Sequence, residues 1–186
     1  MVRVIARTLA ASTLAALTLA ACGSSGTSST SGSPTPAPAR HSIGVCTAPQ
    51  LKLTYVGTDG ATGHLEVTLA LHNVSASRCT LHGYPGARLL GTNGSALPLR
   101  VKRGGGFFPD TQRSAHTVTL KPGGRARFGV SFVTNNEFAG AHTCRTAATA
   151  MSSPPGATTH WWRLSLRGAP RISPCGDQLV VSPVYA

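Results

Sequence analysis

Hydrophobic and polar residues alternate with a period of two along much of the chain after residue 41. In segment 64–72, leucine and valine side chains share one face, while Glu66 and other polar residues share the opposite, solvent-facing side. Segment 125–132 repeats this pattern, with aromatic and aliphatic residues on one side and Arg125 and Arg127 on the other. Such a period is typical of half-buried antiparallel strands, so both segments are predicted as strands.

Six further segments have a weaker form of the pattern, and turn residues separate them. Pro-Gly pairs in Tyr84–Ala87 and Lys121–Gly124 predict type II turns, and Thr92–Ser95 predicts a hairpin turn. Asn135–Met151 has no regular apolar stripe and is predicted as a loop with at most one helical turn. About eight short strands predict an all-β antiparallel β-sandwich. The six weaker segments are Leu51–Val56, Ala87–Leu90, Leu97–Lys102, His116–Leu120, Trp161–Leu166 and Gln178–Val184.

The start of the chain has the pattern of an export signal. A basic beginning precedes an apolar stretch of 14 residues, Thr8–Ala21, which is shorter than the roughly 20 residues of a membrane-spanning helix. The sequence Leu19-Ala-Ala-Cys22 resembles the lipobox of bacterial lipoproteins, in which the cysteine receives acyl chains such as palmitate and becomes the first mature residue. Residues 1–21 are therefore predicted as a lipoprotein signal peptide and Cys22 as the lipidation site.

A linker is predicted between the lipid and the strands. Segment 23–39 contains only Gly, Ser, Thr, Pro and Ala, and such a composition buries too little apolar surface to become ordered. Residues 22–40 are therefore expected to be the lipid-attached cysteine and a disordered linker, and residues 41–186 one domain of ordinary size. The expected location is extracytoplasmic, with a lipid anchor in the cell membrane.

The charge of the chain is strongly one-sided. It has 17 basic and five acidic residues and a net charge of +12. Removal of a signal that contains Arg3 and Arg7 leaves 15 basic residues and a net charge of about +10. Outside the cell this charge would attract lipid headgroups, anionic wall polymers or an envelope protein, whereas export removes nucleic acid from the expected partners. A background preference for arginine in a GC-rich genome is the alternative explanation.

Four cysteines remain once Cys22 carries lipid. An even number in an oxidising compartment predicts disulfides. Three pairings are possible, and we favour Cys46 with Cys79 and Cys144 with Cys175, one bridge in each half of the domain. A zinc site with four thiolates is disfavoured because the sequence lacks a C-x-x-C pair.

Catalytic motifs are lacking from the sequence, which has no G-x-S-x-G, S-x-x-K or H-E-x-x-H motif and no phosphate-binding glycine loop. A non-enzymatic protein without a cofactor is therefore expected. The alternative is a metal-binding protein or weakly signatured enzyme whose histidine and acid cluster forms only in three dimensions. His64 and Glu66 could then provide two ligands, joined by a further histidine from the set His82, His116, His142 and His160.

Aromatic and basic residues supply the candidate ligand-binding residues. Alternation along segment 161–166 places Trp161 on the surface beside Arg163 and Arg167. An exposed indole beside guanidinium groups suits a sugar ring or an anionic polymer, although a neighbouring loop could instead cover the indole. Arg125 and Arg127, on the outer side of their strand, are further candidate contacts.

Two adjacent phenylalanines in the glycine-rich segment 103–109 form a further candidate surface. Either Phe107 or Phe108 could be buried while the other contacts a partner or a membrane. The alternative is that both close one end of the sandwich.

Several short motifs follow one another in a characteristic order along the domain. They are Asn73 at a strand end, C-T-L-x-G-Y-P-G at Cys79–Gly86, L-x-P-G at Leu120–Gly123, Cys175-Gly, and Val181–Val184. This order resembles the domain of unknown function 4232, found in exported actinobacterial lipoproteins, over roughly Cys46 to Val184. The resemblance implies an envelope location and an immunoglobulin-like sandwich, but it implies no activity. The expected function is therefore a non-catalytic binding or interaction module.

Overall fold

Ten β-strands and two short 3-10 helices make up the described part of the chain. The computed structural model describes residues 42–135, 143–167 and 172–186; the predicted signal peptide, Cys22 and the predicted linker lie outside these ranges. No α-helix occurs in the described ranges, so they contain no helix long and apolar enough to cross a membrane. The 3-10 helices are Ala48–Gln50 and Pro109–Gln112, and the strands are β1 Leu51–Ala61, β2 His64–Asn73, β3 Cys79–His82, β4 Gly86–Gly91, β5 Arg100–Arg103, β6 Thr117–Leu120, β7 Arg125–Val133, β8 Ala147–Ser153, β9 Trp162–Ser165 and β10 Cys175–Val181.

The strands form three open sheets. The largest has the order β1-β2-β7-β10-β5, the second β4-β8-β9, and the third pairs β3 with β6. All pairs are antiparallel except β10 with β5, which run parallel. This parallel pair departs from the purely antiparallel arrangement that the sequence predicts. β5 lies at one edge of the largest sheet.

The inner faces of the sheets share a single hydrophobic cluster. The two strands with the clearest alternation, β2 and β7, pair with each other and place Leu69 opposite Phe128. Both side chains are buried, and Leu89 of β4 and Leu179 of β10 belong to the same cluster. The all-β prediction is therefore confirmed. Period-two alternation places the apolar side chains on one face of each strand, and these faces pack together in one core.

Two disulfides tie loop segments to strands. Cys46, before β1, is bonded to Cys79 at the start of β3. Cys144, before β8, is bonded to Cys175 at the start of β10. This is the pairing that the sequence analysis favours.

Asn73, one of the motif residues, stabilises the turn after β2. Its side chain is fully buried, and Nδ2 donates to the carbonyl oxygens of Ser77 at 2.8 Å and Lys121 at 3.2 Å. Its Oδ1 accepts a hydrogen bond from the backbone N–H of Ser75 at 3.0 Å. One amide side chain thus satisfies the backbone of two neighbouring turns, which explains asparagine at this position.

The loop prediction for Asn135–Met151 is wrong over its second part. Residues 136–142 lie outside the described ranges, but Ala147–Ser153 form β8, the central strand of its sheet. Apart from Met151, the strand consists of Ala, Thr and Ser, and it is stabilised by backbone pairing with β4 on one side and β9 on the other. Tertiary pairing therefore overrides the weak local preference of these residues.

The predicted turn at Tyr84–Ala87 is also wrong. Gly86 lies in β4 opposite Ser153 and is not among the glycines with a positive φ. A Cβ at position 86 would overlap Ser153 Oγ and lie 2.9 Å from Trp161 Cη2. Glycine is therefore required here for close approach and not for a turn.

The second predicted Pro-Gly turn, Lys121–Gly124, is confirmed. Gly123 has a φ of 74°, the left-handed value that the third residue of a type II turn adopts. The N–H of Gly124 donates to the carbonyl oxygen of Lys121 at 2.8 Å and closes the turn before β7.

Candidate functional site

An open groove of about 770 Å³ lies between the second sheet and the edge of the largest sheet. Strand β4 contributes one wall, and β5 contributes the other with Leu179 of β10. The segments 96–99 and 153–158 complete it, and Trp161 lines one side. Because β5 pairs only with β10 among the described strands, side chains near the core remain accessible on this side. We refer to this feature as the β4–β5 groove.

The floor of the groove is apolar. Leu97 and Leu99 are half-buried and pack against the hydrophobic core, and Leu179 is fully buried at the base. Val101 of β5 also lines the groove, and 45% of its surface is exposed. Contiguous apolar surface of this kind is characteristic of binding sites.

The rim of the groove is cationic. The guanidinium carbon of Arg88 lies 4.8 Å from the ring centroid of Trp161, within the range of a cation–π contact. Arg103 of β5 is exposed and also lines the groove. The lining residues that the structure describes include no aspartate or glutamate, and the two ion pairs found among the described residues involve neither arginine. The groove therefore favours negatively charged ligands.

Trp161 is half-buried at one side of the groove, just before β9. Its Nε1–H donates to the carbonyl oxygen of Thr158 at 3.2 Å, and its ring edge lies beside Gly86. Thr158 thus contacts the nitrogen edge of the indole, while Arg88 occupies one ring face. The half-buried indole beside an arginine therefore lies between the exposed and the covered arrangements that the sequence left open.

The predicted arginine partners of Trp161 are only partly brought together with it. Arg163 shares the outer face of the second sheet, in register with Met151 of β8, which is in register with Arg88. Arg163 is thus two strands away from Arg88. Arg167 is exposed beyond the end of β9.

Arg125 and Arg127 lie on a different sheet. Both are exposed on β7, on the same outer face of the largest sheet as Glu66. They are therefore separate from the β4–β5 groove, whose lining residues include neither.

Both arginines on the rim of the groove were missed by the sequence analysis. Arg88 could have been found, because alternation along the predicted strand Ala87–Leu90 directs it away from the core. Arg103 could not, since its place in the groove depends on the parallel pairing of β5 with β10.

A second polar cluster lies on the outer face of the largest sheet. Glu66, predicted on the solvent side, is only 3% exposed. Segment 104–113 packs on this face. Gly106 lies so close to β10 that a Cβ at this position would be 2.9 Å from Val180 Cγ1. Gly129 of β7 leaves the space that the carboxyl of Glu66 fills, since a Cβ there would overlap it. The prediction of an exposed Glu66 is wrong because alternation does not reveal a segment that covers the outer face.

The carboxyl of Glu66 is electrostatically unusual. Its Oε2 is buried and has no hydrogen-bond partner. Burial, and then the negative charges of Asp110 and Asp59, raise the pKa of Glu66 to about 7. The group is therefore partly protonated at neutral pH.

Asp110 is held by two neighbours in this cluster. The hydroxyl of Tyr185 donates to its Oδ2, and Arg113 Nε donates to its Oδ1 at 2.8 Å. The guanidinium carbon of Arg113 lies 4.6 Å from the ring centroid of Tyr185. Burial and the hydrogen bond to Asp110 raise the pKa of Tyr185. These contacts fasten segment 104–113 to the C-terminal segment.

The two phenylalanines of segment 103–109 have different environments. Phe108 is buried, whereas Phe107 is 48% exposed. The ring of Phe107 stacks on His64 with centroids 4.3 Å apart. This matches the sequence-based interpretation in which one phenylalanine is buried and the other is accessible.

The described residues contain no cluster that fits the metal-binding alternative. They contain no group of three or more His, Cys, Asp or Glu side chains that could hold a metal ion. His64 Nδ1 lies 3.0 Å from the carbonyl oxygen of Thr62. His142, one of the histidines considered as a further ligand, lies outside the described ranges.

The fold and the site define an all-β domain with two disulfides and an open, cationic groove. The family model described as domain of unknown function (DUF4232) matches residues 46–185, and the chain belongs to this family. The motif-based resemblance is thereby confirmed at the level of the domain. No curated protein and no solved structure matches the chain.

Proposed function

We propose that the protein is an exported, lipid-anchored protein of the bacterial cell envelope that acts as a non-catalytic binding module. Its ligand is anionic and binds in the β4–β5 groove. The observation that carries this proposal is the pair Arg88 and Arg103 on the rim of a groove whose described lining has no acidic side chain.

Several features of the chain support the proposed location. The lipobox-like sequence that ends at Cys22 and the Gly/Ser/Thr/Pro segment after it fit a lipid-anchored protein of the actinobacterial type. Two disulfides fit an oxidising compartment. For the fold, we propose an immunoglobulin-like sandwich, since the inner faces of the sheets share one core.

Binding of the full chain to an anionic wall polymer, measured by co-sedimentation, tests the proposal. We expect binding at low salt that weakens steeply as salt is added, because attraction between exposed charges falls as the Debye length shrinks. Binding that is unchanged by salt contradicts the proposal.

A pair of double variants tests whether the groove is the site. Arg88→Gln with Arg103→Gln removes two positive charges from the rim, whereas Arg125→Gln with Arg127→Gln removes two from the outer face of β7. We expect the first variant to lose most of its binding, by about tenfold or more, and the second to retain most of it. Equal losses would mean that net charge, and not the groove, attracts the polymer.

A further inference from the structure

The β4–β5 groove combines two kinds of surface that a purely ionic site does not need. Its cationic rim is formed by Arg88 and Arg103, but its floor is formed by Leu97, Leu99 and Val101. The two leucines reach from the hydrophobic core to the groove. A ligand that contacts only the rim would leave this apolar floor in water.

Two polar groups in the wall of the groove are engaged with the protein itself. Trp161 Nε1–H is bonded to Thr158, and the hydroxyl of Ser153 donates to the carbonyl oxygen of Ala157 at 3.2 Å. Arg88 occupies one face of the indole ring. A sugar needs several free donors and acceptors around its hydroxyl groups. The indole N–H and the Ser153 hydroxyl are therefore not available to a sugar, and Arg88 already covers one face on which a sugar ring could stack.

We propose that the groove binds a single-chain amphipathic anion, an alkyl or acyl chain that ends in a phosphate or carboxylate. The chain lies along Leu97, Leu99 and Val101, and the anionic group lies between Arg88 and Arg103, whose guanidinium groups suit anionic oxygens. The volume of about 770 Å³ lies within the range of small-molecule sites. This inference rests on the proposed function and names the ligand class of the same site.

Alkyl phosphates of different chain length test the inference as dissolved monomers. The probes are methyl, butyl and octyl phosphate, titrated calorimetrically into the full chain with Cys22→Ser, which carries no lipid. Each fully buried methylene strengthens binding by about fourfold. We therefore expect octyl phosphate to bind at least about tenfold more tightly than butyl phosphate.

A matched pair of valine variants locates the chain. Val101 lines the groove and is 45% exposed, whereas Val56 lies on β1, does not line the groove, and is 46% exposed. Val101→Ser should weaken octyl phosphate binding by about threefold or more, and Val56→Ser should leave it unchanged. Arg88→Gln should weaken the binding of both longer phosphates. Circular dichroism confirms that each variant is folded.

The outcomes separate this inference from the proposed function. If the three phosphates bind equally, the anion site stands and the apolar chain is overturned. If Val56→Ser weakens octyl phosphate as much as Val101→Ser does, the chain binds elsewhere and the inference is overturned. Absence of binding by all three phosphates also overturns it, while the salt dependence of polymer binding decides the proposed function separately.

Discussion

Glu66 is a carboxyl group that the fold buries without a hydrogen-bond partner for one of its oxygens. The cost of such burial is lowest when the group is neutral, which is why its pKa rises to about 7. Asp110 and Asp59 add to this effect. Glu66 therefore couples the stability of the domain to pH.

The sign of this coupling follows from the raised pKa of Glu66 in the folded state. Between the ordinary value of 4.5 and about 7 the folded chain holds a proton that the unfolded chain has released, so the free energy of unfolding falls as pH rises through this window. Glu66→Gln should remove this dependence and be more stable than the wild type at pH 8, by at most about 3 kcal/mol. Denaturant unfolding at pH 5 and pH 8 measures the difference.

Asp177→Asn is the control for this prediction. Asp177 is exposed on β10 and pairs with Arg100 at the surface, where an ion pair contributes little. Its variant should keep the pH slope of the wild type. If Glu66→Gln also keeps that slope, Glu66 is not the titrating group.

At the scale of strands, β4 depends on its close contact with β8. Gly86 faces Ser153 across this pair, and a Cβ there would overlap the serine and press on Trp161. The position of Trp161 in the groove wall therefore depends on the pairing of β4 with β8.

Gly86→Ala should destabilise the domain by about 1–3 kcal/mol, because a methyl group would enter a closely packed contact. Trp161 fluorescence should shift as its ring is displaced. Gly57→Ala is the matched control on β1, since a Cβ at that position has no atom within 4 Å. Thermal unfolding of both variants tests this, and equal midpoints would show that the contact between β4 and β8 tolerates a side chain.

The strands differ in how well the sequence predicts them. β2 and β7 were predicted because each has large apolar residues at alternate positions. β3, Cys79–His82, was missed because it is stabilised by pairing with β6, a strand distant in sequence. β8 was missed because its inner face consists of small residues, such as Ala150, whose burial depends on the neighbouring strands.

The groove was predictable only in part, for a similar physical reason. Trp161 and the outward side of β9 follow from local alternation. The positions of Arg103 and Val101 beside Leu179 follow from the parallel pairing of β5 with β10, which joins segments far apart in sequence. No local pattern encodes such a pairing.

At the scale of the whole chain, the N-terminal segment predicts where the domain resides. If Cys22 carries the lipid, Cys22→Ser should release the protein into the medium or leave its signal peptide uncleaved. Cell fractionation and the mass of the mature N-terminus measure this. Ala20→Ser, which keeps the cysteine and a small residue before it, should remain anchored. A Cys22→Ser protein that stays membrane-bound and normally processed would contradict the lipid anchor.

The edge position of β5 also affects how copies of the domain meet. An unpaired strand edge can add a strand from another molecule, and proteins limit this with short, charged edge strands. β5 has only four residues, and three of them, Arg100, Lys102 and Arg103, are basic. Two copies that approach along this edge therefore repel each other, so the strand that leaves the groove open also disfavours aggregation into a continuous sheet.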